Sequence, residues 1–183
     1  MKVPILQGNK VTLRTPKIVD VKEYVYILSD KKVSRFLNHR YTTKNHLNES
    51  KKWVKEVLSD PGQALWTITV GDKIIGNATL RFVHSAKKAN LGIVIGGYEQ
   101  WGRGYGTESI NLLMSYLFGK LKYNRLDLFV HCNNRRGINL YNKIGFKREG
   151  RVRQSTWNPD TKKFVDQYLM SILKDEWFKK NKK

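Results

Sequence analysis

The chain has 183 residues, and its 35 Lys+Arg against 15 Asp+Glu give a formal net charge of +20. That length is most simply one domain, residues 1–183, with room for a good core, and there is no apolar run of roughly 18 residues such as a membrane-crossing helix needs. The lone cysteine, Cys132, excludes an internal disulfide and a cysteine-based zinc cluster and suits a reducing, cytoplasmic compartment.

The first residues, MKVPILQGNK, hold too short an apolar stretch for a secretory signal peptide. Residues 11–14 read as a strand. Asp20 can cap a helix running to about Ser29, with Val21, Tyr24, Val25 and Leu28 on one side. Residues 31–43 are polar and basic, with isolated Phe36, Leu37 and Tyr41. A second helix is expected over residues 45–58, with Leu47, Trp53, Val54 and Val57 inward, ended by Asp60-Pro61-Gly62. Residues 65–70 and 74–83 around Gly71-Asp72 carry a hairpin signature, and residues 89–95 form the next strand. Ile110, Leu113, Met114, Leu117, Phe118 and Leu121 follow the spacing of a helical face. Residues 126–130 read as a strand, and the helix carrying Tyr141 stops at Gly145. Two last strands, 146–156 and 164–173, are joined by Asn158-Pro159-Asp160. The terminal FKKNKK reads as a frayed, solvated end.

The four histidines, His39, His46, His84 and His131, are scattered without ligand-like spacing, so no metal site is expected. The charge excess sets up a field that attracts polyanions or an acidic partner. No nucleic-acid motif accompanies it and the basic residues are spread, so weak electrostatic association with RNA or the ribosome stands beside a merely basic surface.

The most informative stretch is GGYEQWGRGYGTE, residues 96–108. Gly102, Gly104 and Gly106 sit at alternate positions between a strand and a helix, where free backbone amides and the helix dipole face incoming anions. Glycine lets a phosphate approach the backbone, so the loop reads as a diphosphate cradle. A turn that only reverses the chain is the bland alternative. The G-x-G-x-x-G of dinucleotide sites and the Lys-Ser/Thr ending of a P-loop are both absent.

A second segment, RLDLFVHCNNRRGINLYNKIGF at residues 125–146, places Asn134, Gly137, Tyr141, Gly145 and Phe146 after a strand. Together, the Trp101, Gly104 and Gly106 loop and this segment resemble the GNAT superfamily of acyl-CoA-dependent N-acyltransferases. The opening GNKVTLR, and the stretch from EGRVRQ to SILKDEW read as closing strands, look like its ribosomal-protein N-terminal acetyltransferase branch. The resemblance covers essentially the whole chain. It implies a mixed α/β (α+β) GNAT fold: a central, mostly antiparallel sheet of about seven strands, flanked by about four helices, whose fourth and fifth strands splay to admit the cofactor. The family is often dimeric.

The resemblance also assigns roles. Acetyl-CoA would be held through amides of Gly102, Arg103, Gly104, Tyr105, Gly106 and Thr107, with the Arg103 side chain adding a phosphate contact unless it is a mere surface cation. Backbone groups of Ile93, Val94 and Ile95 would hold the pantetheine arm, and an amide there would polarise the thioester carbonyl. Asn134 matches a pantetheine contact but also suits helix capping. Tyr141 matches the acid that protonates the departing thiolate, its structural alternative being a half-buried helix aromatic. Two positions where relatives carry a glutamate base hold Asn90 and Phe129, which leaves Glu99, His84, His131 or a water chain. The acceptor groove would lie between the first two helices and the last hairpin. The expected acceptor is a protein α-amine, a ribosomal protein leading, with a polyamine or small amine such as an antibiotic as the alternative. A non-catalytic acyl-CoA-binding or nucleic-acid-associated module is the reading from a different class.

Overall fold

A computed structural model describes residues 3–37, 46–158 and 161–181. His39, Tyr41, Asn45 and the Pro159-Asp160 turn lie outside them. Eight strands form one sheet: β1 (Leu6–Gln7), β2 (Thr12–Arg14), β3 (Gln63–Val70), β4 (Lys73–Val83), β5 (Lys88–Ile95), β6 (Arg125–His131), β7 (Lys147–Asn158) and β8 (Lys163–Leu173), in the order β1-β2-β3-β4-β5-β6-β8-β7. Every neighbouring pair is antiparallel except β5 and β6, which are parallel. The strand beyond the expected seven is β1, whose two residues pair with Leu13 and Thr12 and are too few to show an alternation.

Six α-helices are present among the described residues: α1 (Val21–Ser29), α2 (Lys31–Ser34), α3 (His46–Ser59), α4 (Tyr105–Met114), α5 (Arg135–Ile144) and α6 (Lys174–Asn181). Two of them exceed the expected four. The single turn α2 is started by Asp30, whose carboxylate accepts from Lys32 N at 2.8 Å. The C-terminus differs from its expected form. Strand β8 ends at Leu173, and residues 174–181 are helical instead of frayed. Trp177 and Phe178 of α6 pack against the core, and Lys180 Nζ donates to the carbonyls of Lys143 and Ile144 at 2.6 and 2.9 Å, closing the C-terminus of α5.

The sheet separates two apolar layers. Beneath it, Ile110, Leu113, Met114, Leu117 and Phe118 from α4 and its π-helical continuation (Ser115–Lys120) are all 0% exposed, against Trp66, Ile68 and Leu80 of the sheet. Burying five such side chains contributes on the order of 10 kcal/mol, which fixes α4 firmly on the sheet. Above it, Val21 and Tyr24 of α1 and Val54 and Val57 of α3 close over Leu65. Trp53 does not join them as its spacing predicts; it is 37% exposed and faces a cavity instead. The outer strand β7 carries exposed Lys147, Arg148, Arg151 and Arg153, a charge pattern that discourages further strand addition.

Strands β5 and β6 hold only three registered pairs, Lys88–Arg125, Ala89–Leu126 and Asn90–Asp127. Beyond them, residues 91–95 and 128–131 continue as strand without pairing to each other. The expected splay is therefore present, and it opens toward the glycine loop.

Candidate active site

The fork is clasped at its last rung. Asn90 Nδ2 donates to Asp127 Oδ1 at 2.9 Å, and Arg125 Nε reaches Asp127 Oδ2 at 3.4 Å. This explains why position 90 is an amide. A carboxylate there would oppose Asp127 directly, and like charges across a strand pair destabilise it. Asp127 carries no signal of its own in the sequence, because its partner is visible only once the register is known.

Above the clasp, the alternation of an antiparallel pair decides which main-chain groups face the gap. Gly96 N donates to Ile75 O of β4 at 2.8 Å, so Val94, two residues earlier, also turns its N–H and C=O toward β4. Ile93 and Ile95 turn theirs toward the gap. The Ile95 carbonyl is already taken by Trp101 Nε1 at 2.8 Å. Of the three residues expected to hold a pantetheine arm by backbone, Ile93 and Ile95 turn main-chain groups to the gap and Val94 turns its own to β4.

The loop after β5 is held open. Gly102 and Gly104 have φ of +80° and +87°, which side-chain-bearing residues adopt only at a cost. Gly106 serves packing instead. A Cβ there would stand 3.3 Å from Leu140 Cδ2, so its absence lets α4 and α5 approach closely. Gly104 is the N-cap of α4 and provides no capping side chain. The acid in the first turn, Glu108, is turned away; its carboxylate accepts from the main-chain N–H groups of Asn9, Lys10 and Val11 at 2.8–3.0 Å. The N–H groups of Gly102, Gly104, Tyr105, Gly106 and Thr107 meet no acceptor among the described residues, while Trp101 and Gly102 form the corner of a turn that closes at Arg103. A helix start leaves its first N–H groups without an intrahelical partner, and a run of them at a positive helix end suits an anion. Lys10, whose Nζ also reaches Arg103 O at 3.2 Å, and Arg103 line an adjoining hollow of about 610 Å³.

The next helix start is built differently. Asn134 Oδ1 accepts from Gly137 N at 3.0 Å, which caps α5. Gly137 permits this, since a Cβ there would fall 2.8 Å from Asn134 Nδ2. The Arg136 guanidinium stacks over Trp101, 4.4 Å from the ring centroid, and ties the two helix starts together. One turn further, Tyr141 packs edge-on against Phe146 with 5.7 Å between centroids. Its hydroxyl has no hydrogen-bond partner among the described residues, and burial pushes the phenol up to about 12.

Three candidate bases are placed by the fold. Glu99 is exposed, 3.8 Å from Lys73, and its own main-chain N–H together with Gln100 holds its carboxyl below the usual range. It is a surface acid. His84 stacks on Phe82 and bonds the Tyr123 hydroxyl through Nδ1 at 2.5 Å, where β4 ends. His131 is buried at the end of β6, accepts from Asn133 N at 3.1 Å and packs against Phe36; burial pulls its imidazole below the ordinary value.

On the α1–α3 side of the fork lies a cavity of about 410 Å³. Phe36, Trp53 and Phe129 form its aromatic walls, and Ser50, Asn77, Thr79, Asn90 and Gln167 supply uncharged polar groups. Tyr24 closes one end, its hydroxyl 2.6 Å from Thr67 Oγ1, which in turn donates to Asp20 Oδ2 at 2.8 Å. Asp20 does not cap α1 with its side chain, as its position in the sequence predicts; it anchors this chain of hydrogen bonds. Burial alone would raise its carboxyl, but Arg14, Lys17 N–H and the Thr67 hydroxyl hold it below the usual range. Because the ionised carboxylate only accepts, Thr67 donates to it, and Tyr24 must donate to Thr67.

Comparison with known proteins agrees with this geometry. The chain is 27% identical over 178 residues to the uncharacterized N-acetyltransferase p20 of Bacillus licheniformis, covering 94% of this chain and 97% of that one. A shorter match, 35% identical over 69 residues, is to the spermidine N(1)-acetyltransferase of Escherichia coli K12, covering 38% of this chain and 37% of that one. The fold superposes with a TM-score of 0.81 on the spermidine N-acetyltransferase of Vibrio cholerae solved with CoA and spermine, at 18% identity over 93% of this chain and 99% of that one. Residues 10–147 match the acetyltransferase (GNAT) domain family, and the chain belongs to that family as an N-acetyltransferase.

Proposed function

We propose that this chain moves the acetyl group of acetyl-CoA onto a primary amine, and that the acceptor is a protein α-amine. The observation that carries the reading is the set of unpartnered amides at Gly102 and residues 104–107, standing at the open mouth of the β5–β6 fork. Those residues fit a pyrophosphate. Lys10 and Arg103 supply positive charge beside it. When bound, acetyl-CoA supplies a thioester whose carbonyl carbon accepts a nucleophile.

The chain's own groups divide the remaining work. The Ile93 N–H faces the gap and is placed to donate to an oxygen that gains negative charge. Asn134 spends its carbonyl oxygen on Gly137 and keeps its amide NH₂ for a ligand. Tyr141 stays protonated at every physiological pH. Burial raises the phenol, and full transfer of its proton to a thiolate is therefore uphill. Tyr141 therefore acts by donating a hydrogen bond to the departing sulfur. No carboxylate occupies position 90 or 129, so the proton of the attacking amine leaves through water in the cavity.

A polyamine is the second reading, favoured by the spermidine acetyltransferases among the similar proteins. The chain's +20 charge opposes it and also supports weak association with RNA or the ribosome. The test is release of CoA thiol from acetyl-CoA with peptides, spermidine and small amines in turn. Transfer to a peptide α-amine is the expected outcome. Tight CoA binding with no transfer to any amine would make the chain a non-catalytic acyl-CoA-binding module.

A further inference from the structure

The lining of the acceptor cavity narrows the substrate further than its position does. We infer that it receives a primary amine attached to an aromatic or bulky apolar group, with no second positive charge, and that Trp53 and Phe129 select it. The inference rests on the acetyl-transfer reading above and names its substrate class.

The first observation is exposure. Trp53 and Phe129 are 37% and 48% exposed, yet both line a concave cavity of about 410 Å³. Large apolar side chains facing a cavity gain from an apolar occupant, at about 25 cal/mol for each Å² removed from water. Phe36 adds a third ring to the same wall. A cavity of this size, walled by aromatic side chains and by uncharged polar ones, is what small organic ligands fill.

The second observation is charge. No Asp or Glu lines the cavity among the described residues. The two buried acids nearest to it in the fold are committed: Asp127 to Asn90 and Arg125, Asp20 to Arg14 and Thr67. The helix α2 beside the cavity carries Lys31, Lys32 and the following Arg35, and the acids on the neighbouring helices, Asp30 at the start of α2 and Glu49 of α3, do not line it. A polyamine would bring several charges out of water with no carboxylate to meet them, and unpaired buried charge is costly. A monoamine brings one, and loses it when it becomes the nucleophile.

The third observation is polarity. The Tyr24–Thr67–Asp20 chain fixes the direction of the Tyr24 O–H toward Thr67, so the Tyr24 oxygen can offer only a lone pair to the cavity. The carbonyl oxygen of Asn77 can do the same, and that of Gln167, which accepts from the Ser155 hydroxyl at 2.7 Å, keeps one further lone pair. An amine N–H matches such acceptors without needing a charge.

Two sources share this chemistry, a free arylalkylamine and the first residue of a peptide. The experiment measures kcat/KM for phenethylamine, for a peptide starting with Phe, for the same peptide starting with Ser, and for spermidine. One or both aromatic amines should exceed both the Ser peptide and spermidine by at least about tenfold. Which of the two aromatic amines is better identifies the source. Trp53→Ala and Phe129→Ala should each raise KM for the better aromatic amine by about tenfold and change KM for acetyl-CoA by less than about twofold. Both positions are partly exposed, so both variants should fold. Spermidine or the Ser peptide matching the aromatic amines would overturn the inference, as would variants that shift all amines alike. If no amine is acetylated, calorimetry with phenethylamine on the CoA-saturated protein separates the two failures. Binding that Trp53→Ala weakens upholds the cavity assignment while transfer falls, and no binding overturns both.

Discussion

Two helices begin within reach of the same fork, and they begin in opposite ways. At α5, Asn134 folds its side chain onto Gly137 N and closes the helix start on itself. At α4, Gly104 offers no side chain, Glu108 is spent on the β1–β2 turn, and the amides of Gly102 and residues 104–107 are left without partners among the described residues. A capped helix start contributes to stability, by about 1 kcal/mol for a side chain such as Asn. An uncapped one gives that up and keeps its donors for a ligand. The contrast separates a structural helix start from a binding one on the same sheet.

The contrast can be broken most severely by putting an acid at the start of α4. Gly104→Asp places a carboxylate in the loop that repels a pyrophosphate. Acetyl-CoA affinity should fall at least about 100-fold by calorimetry. The melting temperature should fall by only a few degrees, the cost of Asp at φ +87°. An unchanged affinity would remove the loop from the cofactor site.

Tyr141→Phe tests the residue about two turns beyond the capped start. Turnover should fall by about tenfold with CoA affinity unchanged. Since the phenol lies at about 12, the wild-type rate should show no titration of Tyr141 between about pH 6 and pH 10. A stability effect follows with a definite sign. Tyr24 and Tyr141 are both pushed to about 12 by burial, while an unfolded tyrosine ionises near 10. Between these values the unfolded chain binds fewer protons than the folded one. Stability should therefore be flat up to about pH 10 and fall from there toward pH 12. Denaturant midpoints measured across that window check it, and Tyr24→Phe should make the fall shallower.

Asn90→Asp sharpens the fork itself. It puts a second carboxylate opposite Asp127 at the last β5–β6 rung. A loss of about 1–3 kcal/mol in chemical unfolding is expected, together with weaker CoA binding as the fork loosens. The smallest effect belongs to Asn134→Ala, which should cost about 1 kcal/mol, or about 2–4 °C in melting temperature. If Asn134 also contacts the pantetheine arm, CoA affinity drops in the same variant; a change in stability alone leaves it a cap.

Much of this was legible in the residues. The apolar stripe of α4 is long and strictly periodic, and each expected core residue from Ile110 to Phe118 is fully buried. Glycine spacing marked the loop, because positive φ and close helix approach both select for glycine. What could not be read depends on partners distant in sequence. Asn90 looks like a lost catalytic acid until the register brings Asp127 opposite it. Glu108 looks like an ordinary first-turn acid until the β1–β2 turn is seen to fill it. Val94 is indistinguishable from Ile93 and Ile95 until one hydrogen bond, Gly96 to Ile75, sets the alternation. Trp53 fits the apolar face of α3 by spacing, but that face is wider than the core beneath it. The helix α6 hides in a lysine-rich ending because its packing rests on the adjacent pair Trp177 and Phe178, which show no period.

The most direct test follows the amides themselves. In a ¹⁵N-labelled sample titrated with acetyl-CoA, the N–H resonances of Gly102, Arg103, Gly104, Tyr105, Gly106 and Thr107 should show the largest changes, and those of residues 135–137 at the capped start of α5 much smaller ones. Resonances at 102–107 that stay in place while the cofactor binds elsewhere would contradict the assignment of that loop as the pyrophosphate site.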